Sequence, residues 1–327
     1  MSVPVETTRR PNIRRWMLAI GLLSVLPMLL FLVLVGRALV NQQQIALEVE
    51  LQQQADFGAG ELAREVRVVF ATLDSLATSD AAIHADYAAL HAHATRIVAL
   101  SPRIGAITAI DAEGVRRFST LAPFAVPLPP MVLGEFDKLA LATGTRQISP
   151  LSTGSISGKK LVSFAVPVKN DNKTIMIVRV AMWTEAIGEI VYERPVPSTW
   201  IATVIDQNMI QIARSKDAAR FVGLPPTEFT QSAILAGRTT PYAAVTSDGV
   251  AMTASIVRVA GTPWIVAVGA PATSMQAELW KAFQSTLWIG LICVALSLLG
   301  LWVAALKIRD EILRATDVSK SSNAPPP

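Results

Sequence analysis

Two stretches of this chain carry no charged residue at all, and both are long enough to cross a bilayer. The first is Trp16–Gly36, of 21 residues, and the second is Ala282–Leu306, of 25. About 20 apolar residues at 1.5 Å each span ~30 Å of hydrocarbon. Trp16, Trp280, Trp288 and Trp302 lie at or near the ends of these stretches, where indole rings favour the headgroup layer. Pro27 inside the first stretch is compatible with a membrane helix. A cleaved signal peptide would have an apolar region of about 7–15 residues. The first stretch exceeds that, so an uncleaved anchor is expected.

The charge distribution assigns an orientation. The chain has 29 Lys and Arg against 25 Asp and Glu, a net +4. Outside the two stretches the terminal segments 1–15 and 307–327 hold 8 basic and 4 acidic residues, while 37–281 holds 21 of each. The entire excess therefore sits at the termini. Basic residues beside membrane spans mark the cytoplasmic side. Both tails are thus expected in the cytoplasm and the large segment on the far side. A pI near 9.4 raises the question of nucleic acid, but a balanced central segment excludes that partner. One Cys excludes an internal disulfide and a Cys-rich metal site.

The segment between the stretches reads as α+β. Leu62, Val66, Val69, Leu73 and Leu76 step at helical spacing, and Gly58 and Gly60 are expected to weaken that helix upstream. Ser79-Asp80 predicts the cap of a second helix with Ile83, Tyr87, Leu90, Ala94 and Ile97 on one face. Ile104–Asp111 and Val115–Thr120 form a hairpin, followed by a proline-stiffened loop and a helix over Met131–Ala142. Leu161–Val168 and Thr174–Met182 form another hairpin across Lys169–Lys173, and Thr184–Tyr192 a connecting helix. The pattern then recurs: Trp200–Asp206 with Met209–Ser215, a helix over Thr227–Ala236, and strands over Pro241–Thr246, Val250–Val257 and Pro263–Gly269.

Four segments carry a resemblance: IGAITAIDAEGVRRFSTLAPFAVPLPP (104–130), LVSFAVPVKNDNKTIMIVRVAM (161–182), WIATVIDQNMIQIARSKDAARFVG (200–223) and DGVAMTASIVRVAGTPWIVAVGAP (248–271). Together they resemble the double-Cache, PAS-like periplasmic sensor module of bacterial transmembrane receptors, as in sensor histidine kinases. The resemblance implies this layout: tail 1–15, span 16–40, helical lead-in 41–103, membrane-distal unit 104–198, membrane-proximal unit 199–279, span 280–306, tail 307–327. It implies a bacterial inner membrane location, with 41–279 periplasmic. The second unit has Asp206-Gln207-Asn208-Met209 where such hairpins usually carry Asp-x-x-Gly. The Tyr/Arg/Trp/Asp pattern of amino-acid-binding members is not found. The tail of 21 residues is too short for a kinase, cyclase or HAMP region.

In the resembled family the distal unit holds a small molecule between its sheet and covering loops. Alternation places Arg117 and Ser119 on one face of their strand. Ser163 and Arg179 interrupt otherwise apolar strands, and an arginine there suits a carboxylate. These four are the candidate ligand residues. His84, His91 and His93 lie on one predicted helix. With Asp86 they lack the spacing of a zinc site, and no triad can form from them. Gly154–Lys160 has three residues between its glycines, so it is not a phosphate-binding P-loop. No enzymatic activity, cofactor or metal is expected. Gly300 and Ala304 form a small-xxx-small pair that suits a homodimer. The expected function is a membrane-anchored small-molecule sensor acting through a separate histidine kinase or cyclase. The alternatives are a remnant of such a receptor and a structural membrane protein without ligand.

Overall fold

The computed structural model describes residues 13–193 and 196–272, with single positions between 284 and 306. Of side chains before 41 only 30 and 33–38 are described, and the terminal tails lie outside. Two units are separated by their internal contacts: Ala46–Ser274, and Met1–Ile45 with Met275–Pro327.

Helix α1 runs unbroken over Ile13–Ala77, 65 residues, so the first apolar stretch and the following lead-in share one helix. The described positions at 284, 288, 290–292, 295–296, 299–300, 302–303 and 306 are also helical. Leu30, Val33 and Leu34, and in the second stretch Trp288, Leu296 and Trp302, expose their side chains. Among the described residues no helix is long and apolar enough to cross a membrane. Most of the second stretch, and Ala304 of the small-residue pair, fall outside those residues.

Within Ala46–Ser274 the stripe Leu62, Val66, Val69, Leu73 and Leu76 is buried, each aliphatic side chain contributing ~1.5–3 kcal/mol. The helix does not weaken at Gly58. A Cβ there would lie 3.1 Å from Val191 Cγ1, so the glycine serves close packing. The second predicted helix is two: α2, Asp80–Ile83, capped by Ser79, and α3, Tyr87–Leu100, capped by Asp86. Ala85 between them has φ 53°, and the Asp86 carboxylate accepts from Ala89 N at 3.0 Å. That local side-chain bond competes with continuous helix.

The first sheet comprises β1 (Ala106–Asp111), β2 (Arg116–Ser119), β3 (Gln147–Ile148), β4 (Ser152–Thr153), β5 (Lys160–Asn170) and β6 (Lys173–Trp183). Its order is β2-β1-β6-β5-β3, with β4 also on β5. Helix α4, Glu135–Thr143, lies against β5 and β6, and α5, Thr184–Val191, leads out of β6. The β5–β6 turn places Asp171 and Asn172 at φ 49° and 62°, the tight-hairpin geometry that Asn and Asp tolerate.

The second sheet is built from β7 (Ile201–Ile205), β8 (Gln211–Arg214), β9 (Tyr242–Val245), β10 (Ala251–Arg258) and β11 (Ile265–Pro271), in the order β8-β7-β11-β10-β9. Helices α6, Ala218–Phe221, and α7, Glu228–Leu235, lie between β8 and β9. Both sheets thus repeat one antiparallel order, in which the opening hairpin pairs with the last long strand. A single apolar core of α1, α3 and α5 residues with one face of each sheet joins them.

The opening hairpins use matching aspartates. Asp111 accepts from Val115 N at 2.7 Å, and Asp206 from Asn208 N and Ile210 N, both at 2.9 Å. Gly114 has φ 84°, and Met209 takes the same position at φ 58°. The second turn thus keeps its shape without glycine because Asp206 accepts twice. At Gly114 a Cβ would lie 2.3 Å from Leu133 Cδ1. Gly114→Ala is expected to cost about 2 kcal/mol, from left-handed strain plus displacement of Leu133. Gly261 has φ 76° and open space around it, so Gly261→Ala should cost only the strain, ~1 kcal/mol. Denaturant midpoints of both variants check the difference; equal losses would remove the Leu133 contribution.

Candidate functional site

The face of the first sheet opposite α1 is covered by α4 and residues 129–136. Register decides which side chains reach it. Thr108 pairs with Arg179 and with Ser119. Ala165 also pairs with Arg179, and Ser163 with Ala181. Cross-strand partners share a face, so Thr108, Ser119, Arg179 and Ser163 lie together, with the small satellite core of Ile110, Ala140, Ala165 and Ile177. Thr108 Oγ1 is 3.5 Å from Ser119 Oγ.

Arg117 is not on this face. A bulge shifts the β1–β2 register between Ala109 and Ile110, so Ile110 pairs with Arg116. A β-bulge sets two residues opposite one and reverses the alternation beyond it. Arg117 therefore turns to the α3 side. Its Nε donates to Asp111 Oδ2 at 2.5 Å, and its guanidinium carbon lies 5.5 Å from the Tyr87 ring centroid. The expectation that Arg117 and Ser119 share a face is corrected by that extra residue, and Arg116 takes the place.

Arg116 and Arg179 form the charged part of the site. Arg179 Nη1 donates to both oxygens of Asp137, at 3.2 and 3.1 Å, and Nη2 lies 3.4 Å from Met131 Sδ. Asp137 is positioned at the first turn of α4, where its Oδ2 also accepts from Gly134 N at 3.1 Å. Arg116 Nη1 donates to Ser155 Oγ at 3.1 Å, and its Nη2 donates to Pro129 O. Among the described residues Arg116 Nε is buried with no acceptor. Burial first, then the neighbouring Arg179 charge, draws the Arg116 guanidinium below its ordinary range. Burial pushes the Asp137 carboxyl up, against the opposing pull of Arg179.

Arg179 thus pairs with the Asp137 carboxylate, and Arg116 beside it ties down the cover through Ser155 and the Pro129 carbonyl. The surplus is one positive charge and one unpaired donor. Fork-shaped arginine donors match the two oxygens of a carboxylate. Ser163 is buried, and its backbone N–H donates to Ser149 Oγ at 2.8 Å.

Sequence reasoning missed Arg116, Asp137 and Ser155. The Arg116-Arg117 pair was visible, but only the bulge decides which one turns inward. The loop at 154–158 supplies Ser155 rather than a phosphate cradle. The histidines lie apart from the site: His84 Nδ1 is 2.9 Å from Asp80 O, and His91 Nε2 is 3.1 Å from Ala122 O. His91 also packs edge-on against Phe118 at 5.2 Å. Among the described residues no three His, Cys, Asp or Glu side chains gather in a way that could hold a metal.

No protein-family model and no curated protein matches the sequence. Solved structures do match in fold. The extracellular domain of rpHK1S-Z16, described as a histidine kinase, has a TM-score of 0.60 at 14% identity, covering 71% of this chain and 98% of its own. The ligand-binding domain of the Pseudomonas fluorescens chemoreceptor CtaA with L-serine has a TM-score of 0.57 at 14% identity, covering 70% and 99%. That of the Pseudomonas aeruginosa PAO1 amino acid chemoreceptor PctB with L-Arg has a TM-score of 0.55 at 11% identity, covering 70% and 96%. The two chemoreceptor structures are ligand-binding domains, and the first is an extracellular domain. The two-sheet body of this chain therefore has the Cache-type fold of the extracellular sensor domains of histidine kinases and chemoreceptors.

Proposed function

We propose that this protein is a membrane-anchored extracytoplasmic sensor whose ligand carries a carboxylate and binds under α4 on the first sheet. The observation that carries the reading is the buried Arg116 Nε without an acceptor beside the Arg179–Asp137 pair. Anchoring rests on the two uncharged stretches, on their exposed apolar side chains at the described positions, and on the basic tails. These favour a bacterial inner membrane with both termini cytoplasmic and 41–279 outside, divided at about residue 199 into a distal and a proximal unit. A ligand drawing residues 129–136 toward the sheet would bias the packing of α1, which is continuous with the first stretch. Differential affinity for two packings is all that such a signal requires. The output would be a separate histidine kinase or cyclase component.

The test uses the full chain in detergent micelles. Ligand excess at a hundred times Kd stabilises by ~2.7 kcal/mol, so a screen of carboxylates, amino acids and purines should raise the melting temperature for one class. Arg116→Gln should weaken that ligand about tenfold or more while the chain still folds, as hydrogen bonds to charged groups contribute ~1.5–3 kcal/mol. A ligand whose binding is indifferent to Arg116→Gln removes this site. No response from any class would favour a structural role.

A further inference from the structure

The second sheet carries a cavity of its own. It has a volume of about 60 Å³ and lies among β7–β11 and the start of α7. At ~10–15 Å³ for each water, it accommodates four to six waters, or one solute of about five heavy atoms. Its floor is apolar, formed by Met252, Ala254, Ala267, Val268 and Gly269. Its polar groups converge from three sides: Thr203 and Gln211, then Arg214, then Thr230 and Tyr242.

Tyr242 is 7% exposed, and among the described residues its buried hydroxyl has no well-formed hydrogen bond, Thr230 being the polar group that faces it. A buried tyrosine hydroxyl normally finds a partner, so this one points to an occupant. Arg214 is held in place on the Phe221 ring, 4.1 Å from its centroid. Its Nε donates to Lys216 O at 2.9 Å and its Nη1 to Gln211 Oε1 at 3.1 Å. Asp248 and Asp217 lie near enough to act on the Arg214 charge, Asp248 being paired with Arg220, but neither is among the residues lining the cavity. Gln211 is itself fixed, its Nε2 donating to Pro225 O at 3.1 Å.

We infer that this cavity is a second binding site, for a small monocarboxylate that carries no amino group. Arg214 and the Tyr242 hydroxyl would donate to its two oxygens, while its two- or three-carbon chain rests on the apolar floor. An ammonium group would be desolvated there beside the Arg214 cation with no carboxylate in the lining to pair with, which a buried cation does not tolerate. The site uses none of the residues of the first-sheet site and stands independently of that reading.

Sodium propionate, of five heavy atoms, is the probe, with L-alanine as its amine-bearing counterpart. Both are titrated into the full chain and into full-length Arg116→Gln, at constant ionic strength, with melting temperature as the readout. Propionate is expected to raise the melting temperature of both chains. Tyr242→Phe should weaken it about tenfold and Arg214→Gln by more. L-Alanine should bind the Arg116→Gln chain at least tenfold more weakly than propionate does. The inference is overturned by a propionate response that Tyr242→Phe leaves unchanged, by one that Arg116→Gln alone abolishes, by none at all, or by equal binding of L-alanine. Should Arg214→Gln fail to fold, Tyr242→Phe decides alone, since it removes one oxygen and no packing.

Discussion

Trp264→Ala is expected to lower stability by about 3–5 kcal/mol, the range for truncating a buried aromatic. For a body of this size that corresponds to a fall of roughly 10 °C in melting temperature. Trp264 is fully buried in the turn region between β10 and β11. Its ring lies 5.7 Å from Phe164 of β5, edge-on, and Phe164 lies 5.6 Å from Phe70 of α1, also edge-on. One row of aromatic rings thus joins the second sheet, the first sheet and the long helix. Deleting the indole opens a cavity where all three meet, and none can close it without moving another. Among the described residues the buried indole Nε1 has no acceptor. Trp264→Phe removes that unsatisfied donor along with part of the ring, so its loss should be much smaller, about 1–2 kcal/mol. Thermal melts of the two variants, followed by circular dichroism, test the argument. A loss below ~1 kcal/mol for the alanine variant would mean that the sheets do not depend on this row.

The repeated sheet was legible in the sequence because its hairpins announce themselves. Asp-Ala-Glu-Gly at 111–114 and Lys-Asn-Asp-Asn-Lys at 169–173 supply residues that tolerate positive φ between apolar runs. Arg179 and Ser163 were legible as polar residues in apolar strands, and unbroken pairing keeps them on one face. Arg116 was not legible. A bulge changes the face of a side chain by one residue, and no periodicity count reveals where the extra residue falls. Asp137 was hidden for a different reason. On a helix of Glu, Asp and Lys it resembles a solvated charge, and only the packing of α4 over Arg179 makes it an interior group. Ala85 and Asp86 likewise break a helix that the apolar spacing alone would continue.

The Asp137–Arg179 pair yields the second large effect. Asp137 is 1% exposed and Arg179 17%. Asp137→Ala leaves a guanidinium enclosed with Met131 sulfur as its nearest remaining side-chain acceptor. Breaking one side of a buried pair costs about 3–5 kcal/mol, mainly through the charge left behind. Replacing both partners at once, Asp137→Leu with Arg179→Met, should restore most of that loss, since no buried charge then lacks a partner. If the double variant is as unstable as Asp137→Ala, the cost belongs to lost packing of α4 instead. Acid titration gives an independent check. Burial holds the Asp137 carboxyl above its ordinary value, so the folded state retains this proton to higher pH than the unfolded chain does. Its contribution to stability is therefore fully present below the ordinary carboxylate value and is lost as pH rises through the raised one. Asp137→Asn cannot ionise and should lack that decline. Melting temperatures of the two chains, compared across the acid range, should show the wild type falling relative to the variant as pH rises. An opposite trend would mean that Arg179 outweighs burial. That outcome would place a fully formed ion pair, rather than a strained one, between α4 and the first sheet.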